Sequence, residues 1–238
     1  MAPGSNEVGQ MFNEIAPRYD FLNHFLSLGI DRCWRRRLVR ELSVHTPRLI
    51  LDVATGTGDL AIQLHRLHPS HITGIDIAEK MLEIGTSKIR EKGLSGTITL
   101  TYGAAEKIPF ADSTFDAVTV AFGVRNFKHL ELGLSEMFRV LRPGGVMMIL
   151  EFSHPEQPLL KYLYAIYSSV LIQFAGKMIS GHNTAYQYLP DSVAAFPSGM
   201  DFMTLLHRCG LLQTRRIPMT MGIASIYSGM KNSAKPIQ

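Results

Sequence analysis

The stretch Leu51-Asp52-Val53-Ala54-Thr55-Gly56-Thr57-Gly58-Asp59-Leu60-Ala61 decides the fold. A short β-type run, Arg48–Val53, leads into it, and a helical pattern continues through Leu67. Between them lies a G-x-G turn with Ala61 at the third glycine position of the nucleotide-binding fingerprint. Gly56 and Gly58 permit a tight turn and let a ligand approach the backbone, because no Cβ intrudes. Asp76, eighteen residues beyond Gly58, closes the next strand candidate, His71–Ile77. A carboxylate there can accept hydrogen bonds from both hydroxyls of a ribose, which predicts an adenosine-type cofactor at the sheet's carboxyl edge.

Outward from this stretch the same rhythm repeats. Helix 79–91, strand 97–101, strand 114–121, helix 130–141 and strand 146–152 follow, the last two separated by Arg142-Pro143-Gly144-Gly145. Strands alternating with helices predict an α/β fold with a parallel sheet covered on both faces. Before it, residues 1–9 read as loose and 10–43 as helical, with Pro47 ending the segment. Beyond residue 152, Pro155 and Pro158 precede an apolar helix, 159–179; helix-like stretches follow at 186–195 and 199–209, the last ending at Gly210. Two closing strands, 211–219 and 223–231, read as an antiparallel hairpin. The economical division is one domain over 1–238: an N-terminal helical cap (1–47), a nucleotide-binding βαβ core (48–152), a helical substrate or lid insertion (153–210) and closing strands (211–231).

Composition bounds the classes. At 238 residues, 46% hydrophobic and of mean hydropathy +0.07, the chain can fill a sizeable core and is not a disordered tract. Cys33 and Cys209 stand far apart with no metal-ligand spacing, so neither a disulfide framework nor a metal site is expected. No signal peptide is evident, and the uncharged run 162–176 falls short of the ~20 residues that cross a bilayer. A reducing, cytoplasmic setting is the default. The net charge of +4 is unevenly placed. Residues 31–48 carry six arginines against Asp31 and Glu41, and residues 202–238 carry five basic side chains and no acid. Such clusters suit either a solvated helix face or contact with anionic lipid head groups. Nucleic acid is disfavoured, since no aromatic residues interleave the arginines.

Two features separate the cofactor from NAD. Asp52 lies inside the first strand, where a carboxylate suits a ligand bearing ammonium and sulfonium charge, as S-adenosyl-L-methionine does. Gly103-Ala104-Ala105-Glu106 offers small residues to admit an adenine and a carboxylate to address its amine. An NAD-dependent oxidoreductase stays the distant alternative, lacking any evident Tyr-x-x-x-Lys.

The segments LDVATGTGDLA, GIDIAEKML, AAEKIPFADSTFDAV and LRPGG follow the motif order of class I S-adenosylmethionine-dependent methyltransferases. Ala16-Pro17-Arg18-Tyr19-Asp20 with Asn23, Phe122-Gly123-Val124-Arg125-Asn126, Leu150-Glu151-Phe152-Ser153 and Tyr186-Gln187-Tyr188-Leu189-Pro190-Asp191-Ser192 narrow the match. From about residue 8 to 230, the chain resembles the ubiquinone/menaquinone biosynthesis C-methyltransferase family. The resemblance implies a class I, Rossmann-like, seven-stranded mostly parallel sheet with an antiparallel last strand. It also implies methylation of a ring carbon on a polyprenylated hydroquinone, demethylmenaquinol ahead of 2-methoxy-6-polyprenyl-1,4-benzoquinol. By that analogy Thr57, Asp76, Ala104, Ala105 and Ala121 join Asp52, Gly56 and Gly58 around the cofactor. This sequence has Ala104 and Ala121 where some members carry Asn and Ser, leaving main-chain contacts there.

Methylation of such a ring needs a phenolate, whose parent has a pKa of about 10, so a cation or base must stand near it. Arg125 is the candidate for stabilising that oxygen and Asn126 for holding a hydroxyl or water. Tyr19, Glu151 and Tyr188 are candidate substrate contacts; water, His129, His154, Glu151 and Tyr188 remain open as the base. Helix 159–179 suits a prenyl tail, an ordinary buried position or a homodimer contact.

Overall fold

The computed structural model describes residues 8–17, 27, 29–153 and 191–233. Seven strands, β1 (Leu49–Val53), β2 (His71–Asp76), β3 (Ile98–Tyr102), β4 (Phe115–Ala121), β5 (Leu141–Phe152), β6 (Leu211–Met219) and β7 (Ala224–Lys231), form one sheet in the order β3-β2-β1-β4-β5-β7-β6. All pairs from β3 across to β5 are parallel, while β7 runs antiparallel to both β5 and β6. This is the mostly parallel, seven-stranded class I methyltransferase sheet that the resemblance implies.

Side-chain alternation sorts the core onto two faces. Leu51 and Val53, Val118 and Val120, and Met147 and Ile149 pack on one face with Leu134, Met137, Phe202 and Leu206. Ile50, Ala117, Met148 and Leu150 pack on the other with Leu38, Leu42, Leu60 and Leu64. The period of two along each strand assigns successive residues to opposite helical layers. The helices supplying those layers are α2 (Asp31–Ser43), α3 (Asp59–Leu64) and α4 (Glu79–Glu91) on one side, and α5 (Leu130–Val140) and α6 (Met200–Arg208) on the other. A first helix, α1, spans 8–17.

Three boundaries differ from the sequence expectation. The helical stretch expected over 10–43 is broken by a turn at 29–30, where Gly29 takes φ +74°. Of the residues 1–9 expected to be loose, the described Val8 and Gly9 belong to the helix over 8–17, with Val8 only 4% exposed. Arg142-Pro143-Gly144-Gly145 does not end an element ahead of the fifth strand. β5 already begins at Leu141, opposite Phe115, and the four residues bulge before Val146 regains register opposite Ala117. Gly144 at φ +78° supplies the left-handed residue such a bulge needs. The expected β6–β7 hairpin is present, closed by a 3₁₀ turn at Thr220–Gly222, and Gly210 at φ +96° ends α6. The 159–179 helix and most of the 186–195 stretch lie outside the described residues; 191–195 is helical. Among the described residues, no helix is long and apolar enough to cross a membrane.

The strand order reverses direction of growth between β1 and β4. In an open α/β sheet the carboxyl ends on either side of that point diverge and leave a crevice.

Candidate active site

The crevice opens where expected from topology, lined by Ala54, Gly56, Asp76, Ile77, Met81, Gly103, Ala105, Glu106, Phe122, Gly123, Asn126, Phe127 and Lys128, with Val8 and Phe12 of α1 over it. Its floor is the turn after β1. Ala54, Gly56 and Gly58 all take left-handed backbone (φ +50°, +57° and +75°), so the chain reverses tightly before α3. Thr55 N donates to Ile75 O at 3.0 Å, tying the turn to β2.

Asp76 closes the same region from the β2 side. Its Oδ2 accepts from Gly56 N at 2.8 Å and its Oδ1 from Ala78 N at 2.9 Å. Burial pushes this carboxyl above its usual range, against the pull of those backbone donors. A carboxylate has about four acceptor positions, and with Ile77 N–H as a third backbone donor it still keeps acceptor capacity for a ligand hydroxyl. The carboxylate is thus aimed by main-chain groups and still able to bind.

The third wall is the Gly103–Glu106 turn, in which Lys107 N bonds Ala104 O at 3.2 Å. Arg139 braces the segment that follows. It donates to Ile108 O and Phe110 O, and pairs with Glu136 and Asp112 at 2.7 Å each. Glu106 reaches the crevice and accepts from His129 N at 3.3 Å.

The fourth wall follows β4. Phe122 takes φ +61°, costly for a bulky residue. Its N–H is bonded to Leu150 O at 2.8 Å, and its ring packs 4.8 Å from Phe152 and 6.0 Å from Trp34, with the Arg35 guanidinium 5.3 Å over it. Next to it, a Cβ on Gly123 would stand 2.6 Å from that of Ala54, so the two turns can meet only with glycine there. The 3₁₀ turn Val124–Asn126 then brings Asn126 to the wall.

Behind these walls lie two buried acids of different construction. Asp52, 1% exposed, accepts from Thr55 Oγ1 and Thr119 Oγ1, each at 2.7 Å. Burial raises its pKa to about 6 despite those hydroxyls and Arg35. Glu151, wholly buried, pairs with Arg125 Nη1 at 2.8 Å and also accepts from Phe152 N. Arg125 Nη1 further donates to Phe122 O, and Arg125 Cζ lies 5.4 Å from the Phe152 ring centre. Its Nε is buried with no acceptor among the described residues.

The crevice therefore gathers Gly56, Asp76, Ala105 and Asn126 of the expected residues. Asp52 lies beneath the glycine turn, with both oxygens taken by hydroxyls. Thr57 is 2% exposed and accepts from Lys88 Nζ at 3.1 Å, while Gly58 caps α3. Ala104 faces its own turn, and Ala121 packs into the core layer beneath α2 and α3. Arg125 and Glu151 form an internal pair behind Phe122 and Asn126. Tyr19, Tyr188 and His154 lie outside the described residues. Sequence reasoning did not single out Val8, Phe12, Met81, Phe122 or Lys128. Helical spacing of Val8 and Phe12 was a usable sign, but nothing local announces that a helix so placed covers a crevice 42 to 120 residues away.

The residues present fit an adenosyl ligand: a diol-accepting carboxylate, a turn without side chains beside it, and Gly103 and Ala105 leaving a flat wall. A family model described as the ubiE/COQ5 methyltransferase family matches residues 1–231. The demethylmenaquinone methyltransferase of Bacteroides fragilis is 46% identical over 228 residues, covering 95% of this chain and 93% of the relative. The ubiquinone/menaquinone biosynthesis C-methyltransferase UbiE of Geotalea daltonii is 45% identical over 227 residues, covering 94% and 96%. In fold, the chain is like a solved SAM-dependent methyltransferase of Thermotoga maritima, with a TM-score of 0.64 at 20% identity over 94% of this chain and 99% of that one. With agreement over nearly the whole length in both directions, the protein belongs to the ubiE/COQ5 methyltransferase family.

Proposed function

We propose that the protein transfers the methyl group of S-adenosyl-L-methionine to a ring carbon of a polyprenylated hydroquinone, converting demethylmenaquinol to menaquinol in menaquinone biosynthesis. The observation that carries this reading is the Asp76–glycine-turn crevice in a chain 46% identical to a relative named for that reaction. The second reading, a methoxy-polyprenyl-benzoquinol acceptor in ubiquinone biosynthesis, draws on the double name of the Geotalea daltonii relative.

The sulfonium donor supplies an already activated methyl group. What the chain must do is hold, orient and exclude water. Asp76 would take the ribose diol, Gly56, Thr57 and Gly58 the amino-acid end through main chain, and Ala104, Ala105 and Glu106 the adenine. Ala121 and Asp52 would act from behind, Asp52 by fixing Thr55 in the turn. Asn126 on the wall would hold the acceptor's hydroxyl. Arg125 would stabilise the phenolate from behind that wall, because its buried Nε–H lacks an acceptor among the described residues and its neighbour Asn126 faces the crevice. Glu151 holds that guanidinium in place, and Tyr19 and Tyr188 would complete the acceptor side.

In the proposed arrangement, the segments 1–47 and 153–210 cover the core 48–152 and receive the acceptor. The prenyl tail would lie along helix 159–179, each buried CH₂ contributing about 0.8 kcal/mol. An enzyme with one substrate in water and one in a bilayer works at their boundary, here the cytoplasmic face of the membrane. A homodimer through the same apolar helix is the other use of that segment.

The test is product mass spectrometry with purified protein, methyl donor and reduced naphthoquinol or methoxy-benzoquinol analogues. A mass gain on carbon with the naphthoquinol is expected. A gain only with the benzoquinol selects the second reading, and none with either rejects both.

A further inference from the structure

We propose that Lys88 of α4, which lies outside the crevice, is a positioning residue for S-adenosyl-L-methionine: it locks the glycine turn through the Thr57 hydroxyl, so that the main-chain groups of residues 56–58 meet the ligand already aligned. The inference deepens the reading above and rests on its assignment of this turn to the ligand's amino-acid end. Glycine loses more conformational freedom on ordering than any other residue, and ordering a turn built on Gly56 and Gly58 only at the moment of binding would weaken the complex. A support outside the turn must therefore hold it. One face of α4 does so. Gly85, Lys88 and Ile89 stand at i, i+3 and i+4, the spacing that places residues on the same side of a helix. A Cβ on Gly85 would lie 2.9 Å from the Thr57 carbonyl carbon and 3.0 Å from its oxygen, so α4 packs its own backbone against the Thr57 peptide. On the opposite side a Cβ on Gly74 of β2 would lie 2.8 Å from Thr55 Oγ1. The turn is gripped between strand and helix.

Lys88 adds a polar link to this grip. Its Nζ donates to Thr57 Oγ1 at 3.1 Å and to Asp59 Oδ1 at 2.5 Å, both partly buried, and so spans the junction between the turn and the first residue of α3. An ammonium has three donors and no acceptor, so it can serve both partners at once. The Asp59 carboxylate takes up the charge, which leaves Lys88 to act on Thr57 as a directed donor rather than on the ligand as a free cation. With its hydroxyl engaged by α4, Thr57 contributes to the site through its main chain. In sequence Lys88 reads as an ordinary lysine on an amphipathic helix; what distinguishes it is a partner 31 positions earlier.

The experiment is calorimetric titration of S-adenosylhomocysteine into the full chain, with initial-rate kinetics on a reduced naphthoquinol beside it. Lys88→Met should weaken S-adenosylhomocysteine binding about ten-fold, the worth of one buried hydrogen bond, with unchanged stoichiometry. KM for the methyl donor should rise by the same factor, while kcat at saturating donor stays within about two-fold of wild type. Thr57→Val should match Lys88→Met, and Lys88→Met/Thr57→Val should bind no more weakly than either alone, because both remove the same link. Gly85→Ala, which pushes on the Thr57 peptide, should also raise Kd about ten-fold. Should Lys88→Met fail to fold, Lys88→Gln, whose amide has a shorter reach, carries the same comparison. A wild-type Kd in the Lys88 variant, or a double variant weakened about 100-fold, overturns the assignment. So does a loss confined to kcat and stoichiometry, which is what fewer folded molecules would give. Wild type failing to bind S-adenosylhomocysteine rejects the cofactor reading and this inference with it. Wild type that binds it but methylates neither quinol rejects only the acceptor, and the calorimetry still decides the role of Lys88.

Discussion

Each half of the crevice is built around a carboxylate, and the two are used in opposite ways. On the β2 side, Asp76 is held by backbone N–H groups of Gly56 and Ala78, so it is aimed without being neutralised. On the β4–β5 side, Glu151 is enclosed and faces Arg125, so its charge is cancelled inside the protein. A main-chain donor fixes the position of an acid yet leaves acceptor capacity for a ligand; a guanidinium consumes that capacity and turns the acid into scaffold. In the proposed reading the difference separates a recognition group from a brace, although both are acids near the end of a β-strand.

Removing each acid should break the molecule differently. Glu151→Ala leaves a buried guanidinium with no counter-charge, and should cost about 3–5 kcal/mol of stability. Denaturant unfolding checks this, and Glu151→Met/Arg125→Met should recover most of the loss while remaining inactive. Asp76→Ala should instead cost less stability, about 1–3 kcal/mol from the Gly56 and Ala78 donors it leaves unpaired, and lower affinity for S-adenosylhomocysteine at least ~100-fold by calorimetry, since two charge-assisted hydrogen bonds to the ligand disappear. Loss of stability with retained affinity would reverse the two assignments.

Asp52 sharpens the comparison because hydroxyls rather than a cation compensate it. Its pKa rises to about 6 in the folded state from an unfolded value of 3.8, so the native state binds the proton more tightly. Its contribution to stability is complete below the unfolded value and is lost as pH rises through the folded one. Asp52→Asn should therefore gain on wild type between pH ~4 and ~6.5, reaching on the order of 2–3 kcal/mol, with no gain at the acid end. Urea unfolding across that range decides it. Gly123→Ala is the smallest change proposed. Its Cβ must part the turns after β1 and β4, costing about 1–3 kcal/mol, and should weaken acceptor binding more than donor binding.

The place of Asp76 beside the glycine turn was legible in sequence and the Arg125–Glu151 pairing was not, for a physical reason. Asp76 ends a strand eighteen residues past a glycine turn, a relation within one βαβ unit and so of nearly fixed geometry. The strands and their two-faced burial are local in the same sense. Arg125 and Glu151 are 26 residues apart with a helix between them, and each alone reads as a group free to meet substrate. Only the parallel pairing of β4 with β5 sets Ala121 beside Leu150 and thereby brings the pair together. Asp52 was legible as an unusual strand acid, but which face of β1 it takes depends on Thr119 of β4, a neighbour 67 positions away. The bulge at Arg142–Gly145 hid behind residues that usually stop an element, since the same left-handed glycine serves both purposes.

Trp34 is the chain's single tryptophan, and it lies between the crevice wall and the tip of the β6–β7 hairpin. Its indole contacts Phe122 of the crevice wall and Phe152 of β5, and its N–H is tied to the hairpin tip through Thr220. The protein thus carries a built-in optical reporter. One emission signal, with no label attached, can follow ligand entry into the crevice from one side and movement of the hairpin tip from the other, and stopped-flow mixing can time which event comes first.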